Sequence, residues 1–584
     1  MKILHRFIIL IVCSIVSACS GIQSASDLKP QSDAITADTG GHTAPKEIIK
    51  PLAKESLYEL LVGDFALARD QFKTAQSNYI SQAHKTLDPQ IIDLAANIAI
   101  YNQDYKALEE LALLWIKVEP TNPIPQSLAF KALGMQENAI GALNHAYWLY
   151  THNNQLDLFI AITTIPDNRQ DIQQLIKALE QLKPEQQLKP PILLALAILY
   201  SDLDDHITSQ QIIEEFLTIM PMNTLGILLL SEIYQQTDRL QQSLQLLAAA
   251  LNKKPENHQL RQQYAQYLAL TDRTQAIEQF ELLREQQPNN QDSNFMLALL
   301  MLDIGELKKA SALLVEASQD PSLYLEAQYY LGTIADTLGN SELAIDFYRQ
   351  VQSGEKYLIS TARLTSLMAQ QAGIVGSRDY LQSQQIAKPD QLIELLMIEA
   401  NLLIKNEQLE LAYQLLTESL IQFPDHEELL YTRAMVAEQL DNYPQTELDL
   451  RKLIALDTEN AIALNALGYS MLIHTDHYDE AYKLIKQAYF LNPGDAATTD
   501  SLGWALFLMG QPEAALKHLK KAMAIMPDPE IAAHLGEVQW VLGNREAAIK
   551  TWQKGLEQSP KYRLILETID RLGVSIEKTN SGQQ

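Results

Sequence analysis

"DSLGWALFLMGQPEAALKHLKKAMAIMPD", residues 500–528, decides how this chain folds. Apolar residues three and four apart run on either side of Gly510 and Pro512, the pattern of two amphipathic helices joined by a tight turn. Gly510 suits the left-handed residue that ends a helix, and Pro512 suits the first turn of the next one. Gly503 and Ala515 are small enough for two antiparallel helices to approach, with Leu502 and Leu519 filling the seam between them. Pro527 then stops the second helix.

The following stretch, "AAHLGEVQWVLGNREAAIKTWQKGLEQSP" at 532–560, carries the same marks in the same places. Leu535, Gly536, Gln539, Gly543, Ala548, Trp552, Gly555 and Pro560 stand where Leu502, Gly503, Leu506, Gly510, Ala515, Leu519, Ala522 and Pro527 stood. Prolines extend the register. Pro221, Pro255, Pro288 and Pro321 are 34, 33 and 33 residues apart, Pro389 and Pro424 are 35 apart, and Pro493, Pro527 and Pro560 are 34 and 33 apart. Thr458 fills the intermediate slot.

A period near 34 residues with these marks resembles the tetratricopeptide repeat (TPR) family. Weaker copies lie at 230–255, 329–351 and 399–424, where Tyr234, Leu247, Ala250, Leu331, Gly332, Gly339, Ala344, Tyr348, Ala400, Leu403, Ala412 and Leu416 hold marker places. The resemblance implies an all-α, TPR superhelical solenoid of about fifteen helix-turn-helix hairpins over residues 53–565, in clearest register over 190–565. The stretch "TIPDNRQDIQQL" at 164–175 breaks the pattern. Residues 566–584 are expected to end the capping helix and continue into a disordered tail. More than 500 residues are too many for one globular core, and a stack of neighbour contacts removes that difficulty.

The amino terminus reads differently. Lys2 and Arg6 precede an apolar run, Phe7–Val16, that is too short to span a bilayer, and the small residues Ser17 and Ala18 follow, so residues 1–18 read as an export signal. Val16-Ser17-Ala18-Cys19 resembles the bacterial lipobox, which implies cleavage after Ala18 and lipidation of Cys19, including a palmitate-like acyl chain. Removal of the signal would discard Cys13, the only other cysteine, so no disulfide is expected. Ser20, in place of Asp, favours the outer membrane by the sorting rule of such lipoproteins. Two or three acyl chains exceed what marginal attachment requires. Residues 19–52, rich in Ser, Ala, Thr, Asp and Gly, read as a flexible tether reaching roughly 30 Å.

Chemical motifs are missing. No phosphate loop, nucleophile elbow, HExxH or cysteine metal spacing occurs, so no enzyme activity, cofactor or metal is expected. "HTDHYDE" (His474, Asp476, His477, Asp479) lacks the rigid His-to-His spacing of a zinc site, and "DLDDH" at 202–206 lacks the glycine and terminal glutamate of a calcium loop. Both read as exposed turns. The net charge is −27, from 45 Lys and Arg against 72 Asp and Glu. Such a surface cannot displace phosphate counterions, so nucleic acid is excluded as a partner.

Function then lies in surfaces. With Leu467, Leu502 and Leu535 equivalent, the residues two later are Tyr469, Trp504 and Glu537, and those five later are Leu472, Phe507 and Trp540. The family resemblance places both rows on the concave side. There the aromatics Tyr469, Trp504, Phe507 and Trp540 either anchor a partner peptide or pack between repeats. Asn401 and Asn465 resemble individual asparagines of the carboxylate-clamp subfamily, without its Lys and Arg set.

Taken whole, lipobox, tether and array resemble the large TPR lipoproteins of proteobacterial outer membranes, most specifically over 463–530. That resemblance implies a non-enzymatic adaptor on the periplasmic side of the outer membrane. Its partners would be a carboxy-terminal processing protease and the cell-wall hydrolases it degrades. The alternative is an assembly factor for pilus, secretion or outer-membrane proteins.

Overall fold

The computed structural model describes residues 54–153, 157–182 and 189–574. The expected signal 1–18, Cys19, the tether 19–52 and the tail beyond residue 574 lie outside the described residues. Among those described, thirty-one α-helices and two short 3-10 turns occur and no strand. Consecutive helices pair along most of the described residues as antiparallel hairpins, and a single terminal helix, Arg563–Arg571, follows them, in agreement with the all-α TPR solenoid expected from the period. The chain divides into two compact units at residues 310 and 311, inside the helix Leu307–Ala317.

Three local devices recur among the hairpins. At four of the repeat boundaries, the residue two after the proline caps the next helix through its side chain. Asn223, Asn257, Asn290 and Asp495 accept a hydrogen bond from the backbone N–H three residues on, as Asn460 does after Thr458. Within the hairpin, the residue two before the second helix adopts the left-handed conformation. Gly305, Gly339, Gly510 and Gly543 do so, and so do Asp70, Gln103, Glu137, Asp204, Asp238, Glu407 and Asp441. Finally, a small residue on the first helix admits a large one from the second. A β-carbon on Gly503 would lie 2.7 Å from Leu519 Cγ, and one on Gly536 would lie 2.2 Å from Trp552 Nε1.

In the first unit, alanines replace glycines along much of the seam. Ala75, Ala83, Ala95, Ala96, Ala99, Ala112, Ala129 and Ala132 are fully buried around Ile92, Leu108 and Leu111. The break noticed near residue 164 has a structural cause. The helix Asp157–Ala161 is short and runs into the 3-10 turn Ile162–Thr164, and every residue from Leu158 to Thr163 is buried. A segment enclosed on all sides has no polar face to set a period. The helix Lys189–Asp202 is likewise buried at each position from Pro191 to Leu199.

The second unit has one contiguous apolar core from Met397 to Val538. Two buried carboxylates cross it. Asp449, 1% exposed, receives the Arg433 guanidinium at 2.7 and 2.8 Å; Glu399, fully buried, receives Arg378 at 2.8 Å and Gln385 at 2.8 Å. Such pairs fix relative geometry more surely than they add stability. Successive hairpins are also tied at their outer turns: Lys452 donates to the carbonyl of Pro424 at 2.6 Å, Gln487 to Thr458 at 3.0 Å and Lys521 to Pro493 at 2.9 Å. These three donors occupy the same place in their second helices.

Candidate interaction surface

The aromatic residues singled out from the sequence sit on the first helices of the last three hairpins, Ala461–His474, Ala496–Leu508 and Pro529–Val541. The structure brings Tyr469, Trp504 and Phe507 together around a histidine that the sequence reading did not select. The indole of Trp504 stacks on the His534 ring with centroids 4.1 Å apart and planes at 20°. Tyr469 meets the same ring edge-on at 6.2 Å, and Phe507 lies 5.1 Å from Trp504. All three aromatics are partly buried against the core of the second unit.

Beneath the rings is a polar network. His534, 2% exposed, shares a 2.8 Å hydrogen bond through Nδ1 with the Asp500 carboxylate, itself 4% exposed. Burial works against a charged imidazole here, but Asp500 with Glu530 and Glu537 outweighs it and raises the His534 pKa above its ordinary value. The Tyr469 hydroxyl donates to the carboxylate of Glu530, which belongs to the first helix two hairpins further on. Burial and that carboxylate push the phenol far above its ordinary range. Tyr562 is pushed up to about 12 by burial first and then by Glu530, Asp528 and Asp500. From the terminal helix, Arg571 donates to the buried Glu537 at 2.6 Å.

Trp540 belongs to a different cluster. Its ring lies 6.0 Å from the fully buried Trp552, whose Nε1 donates to the Ala533 carbonyl at 3.3 Å, and the Arg545 guanidinium stands 5.0 Å above it. Leu472, in the same row as Phe507 and Trp540, is 4% exposed and part of the core. Asn465 is partly buried with its Oδ1 unpartnered, and Asn401 is exposed two hairpins earlier. The carboxylates of the following first helices are engaged within the protein, Asp500 by His534, Glu530 by Tyr469 and Glu537 by Arg571.

The two turns considered for metal are also occupied. His474 Nε2 lies 2.7 Å from Glu438 and its ring stacks on Tyr443 at 3.3 Å, while Asp205 caps the helix His206–Ile219. No group of three or more potential ligands is found among the described residues. Nor is any described helix long and apolar enough to cross a membrane.

Helical hairpins of one register, most of them closed by the same left-handed turn, define a tetratricopeptide-repeat protein. The chain belongs to that class: a TPR repeat-containing protein of Pseudomonas aeruginosa is 33% identical to it over 534 residues, with 88% of each chain covered. No family model matches the chain. Solved structures with likeness to parts of it include a thermophilic TPR protein of Thermus thermophilus and a tetratricopeptide repeat protein from Parabacteroides merdae. The first has 23% identity, covers 30% of this chain and 96% of its own, and gives a TM-score of 0.27. The second has 19% identity, covers 48% and 97%, and gives a TM-score of 0.32.

Proposed function

We propose that this protein is a non-enzymatic scaffold, anchored through a lipidated Cys19 to the outer membrane and facing the periplasm. The observation that supports the scaffold reading is the run of helical hairpins between Lys54 and Gln558, which leaves surface as the chain's chief functional asset. Stacked repeats offer long surfaces able to hold two proteins at once, and joint display raises the effective concentration of one for the other. The lipobox Val16–Cys19 and the polar tether support the anchor. The partners we propose are a carboxy-terminal processing protease and the cell-wall hydrolases it cleaves, on the strength of the resemblance over 463–530.

Affinity capture from solubilised envelopes, with Cys19→Ala as comparison, tests both halves. The expected result is a serine protease and cell-wall hydrolases recovered with the wild-type chain, and a folded Cys19→Ala chain released from the membrane. Recovery of pilus or barrel-assembly components without a protease would reject the adaptor reading. Membrane retention of Cys19→Ala would reject the anchor.

A further inference from the structure

The last three second helices differ in charge balance from the chain as a whole. The helices Tyr478–Leu491, Pro512–Ile525 and Arg545–Gln558 carry eight Lys and Arg against five Asp and Glu, in a chain whose totals are 45 against 72. Four of those acids, Asp479, Glu480, Glu513 and Glu546, stand in first turns, where the helix dipole favours them. The lysines are in register. Lys483, Lys517 and Lys550 hold the sixth position of successive helices, and Lys486 and Lys520 hold the ninth.

Lys550 pairs with Glu546 at 3.1 Å, and Lys521 is engaged by the Tyr489 hydroxyl and the Pro493 carbonyl. Lys483, Lys486, Lys517 and Lys520 are exposed and have no ion-pair partner among the described residues. On the same helical face as Lys483 and Lys486 stands Phe490, 72% exposed. The local field is positive: His518 is held below its ordinary value by burial and then by the charges of Lys521 and Lys517.

We propose that this face is a docking surface for an acidic segment of a partner protein, with Lys483, Lys486, Lys517 and Lys520 meeting its carboxylates and Phe490 meeting an apolar side chain. The inference rests on the scaffold reading and adds to it the place and sign of one contact. A protein fits better than a lipid surface because first-turn acids stand one helical turn from the lysines, Asp479 and Glu480 before Lys483 and Glu513 before Lys517. That pattern complements a patterned partner, whereas a uniformly anionic bilayer would meet Asp479, Glu480 and Glu513 as well as the lysines. The aromatic rows of the first helices offer less, since Tyr469 and Trp504 already contact His534.

Carbodiimide coupling, which joins lysine amines to carboxylates in direct contact, tests the proposal on the full chain in isolated envelopes. Cross-linked peptides are read by mass spectrometry for wild type, for Lys483→Glu/Lys517→Glu, and for Phe490→Ser. The expected result is coupling of these lysines to Asp or Glu of another protein. Binding of that protein should fall by about tenfold or more in the double variant, and recover when the coupled carboxylates are replaced by lysine. Coupling only to a second copy of this chain would overturn the proposal in favour of self-association. Co-sedimentation with phosphatidylglycerol vesicles that the double variant loses, without protein coupling, would give the face to a membrane. Partners retained in full by the double variant would leave the scaffold standing and reject this face.

Discussion

Trp504→Ala separates an aromatic row that is filled by the protein itself from one that is free for a partner. The indole lies over His534 at 4.1 Å and beside Phe507, and is partly buried against the core. A tryptophan covers about 200 Å² when enclosed, so roughly 150 Å² is removed from water here, equivalent to about 3–4 kcal/mol at ~25 cal/mol per Å². Residual burial in the unfolded chain lowers that figure by roughly a quarter, and the lost ring stacking adds back about 0.5–1 kcal/mol. The expected loss is therefore about 3 kcal/mol, concentrated in the last three hairpins. Repeat arrays unfold piecewise, so a single melting temperature would blur the effect. Hydrogen exchange resolved over 461–571 is the suitable assay, with faster exchange expected across 496–541. A loss below about 1 kcal/mol with unchanged exchange would refute the reasoning and return Trp504 to the list of free anchors.

Three further outcomes follow from particular contacts. Gly536→Ala should cost at least about 2 kcal/mol by denaturant titration, because its β-carbon would lie 2.2 Å from Trp552 Nε1 in a fully buried ring. Glu407 adopts φ 57° in an exposed turn, so Glu407→Gly should stabilise its hairpin by about 0.5–1 kcal/mol, whereas Gly510→Ala at φ 76° should destabilise by about 1 kcal/mol. His534 has a raised folded pKa, so its pairing with Asp500 contributes fully below the ordinary histidine value of 6.5 and is lost as pH rises through the folded value. Exchange in the helix Pro529–Val541 should therefore gain more from pH 6 to pH 9 than intrinsic chemistry explains, and His534→Gln should abolish that excess.

The repeat was legible in the sequence where its marks are chemically distinctive. Gly510 and Gly543 announce a left-handed turn; Gln103, Glu137 and Asp238 take the same conformation without announcing it, and the early hairpins are correspondingly faint. A capping Asn or Asp stands two residues after Pro221, Pro255, Pro288 and Pro493, where it marks the start of the next helix as clearly as the proline marks the end of the last. The aromatic rows were found because they repeat at a fixed offset from Leu467, Leu502 and Leu535. His534 and Asp500 were not, since neither shares that offset and their pairing depends on adjacent hairpins bringing different positions together. The contact from Tyr469 to Glu530 skips a whole hairpin, and no 34-residue period can encode which side chains meet across two.

The lysines of the second helices pose a different problem, because little inside the protein requires them: Lys486 stands over the Tyr482 ring at 5.5 Å, a contact at the surface. Lys483, Lys486, Lys517 and Lys520 fill no seam, cap no helix and close no ion pair among the described residues, whereas Lys452 and Lys521 in neighbouring places tie one hairpin to the next. Solubility does not account for them either. In a chain of net charge −27, each added lysine lowers the magnitude of the charge that keeps it dispersed. Exposed positions free of packing constraint accept Glu as readily as Lys in a helix, since their intrinsic propensities are nearly equal. The concentration of unpaired cations on consecutive repeats, around one exposed phenylalanine, is therefore better accounted for by what the face meets than by what the fold needs.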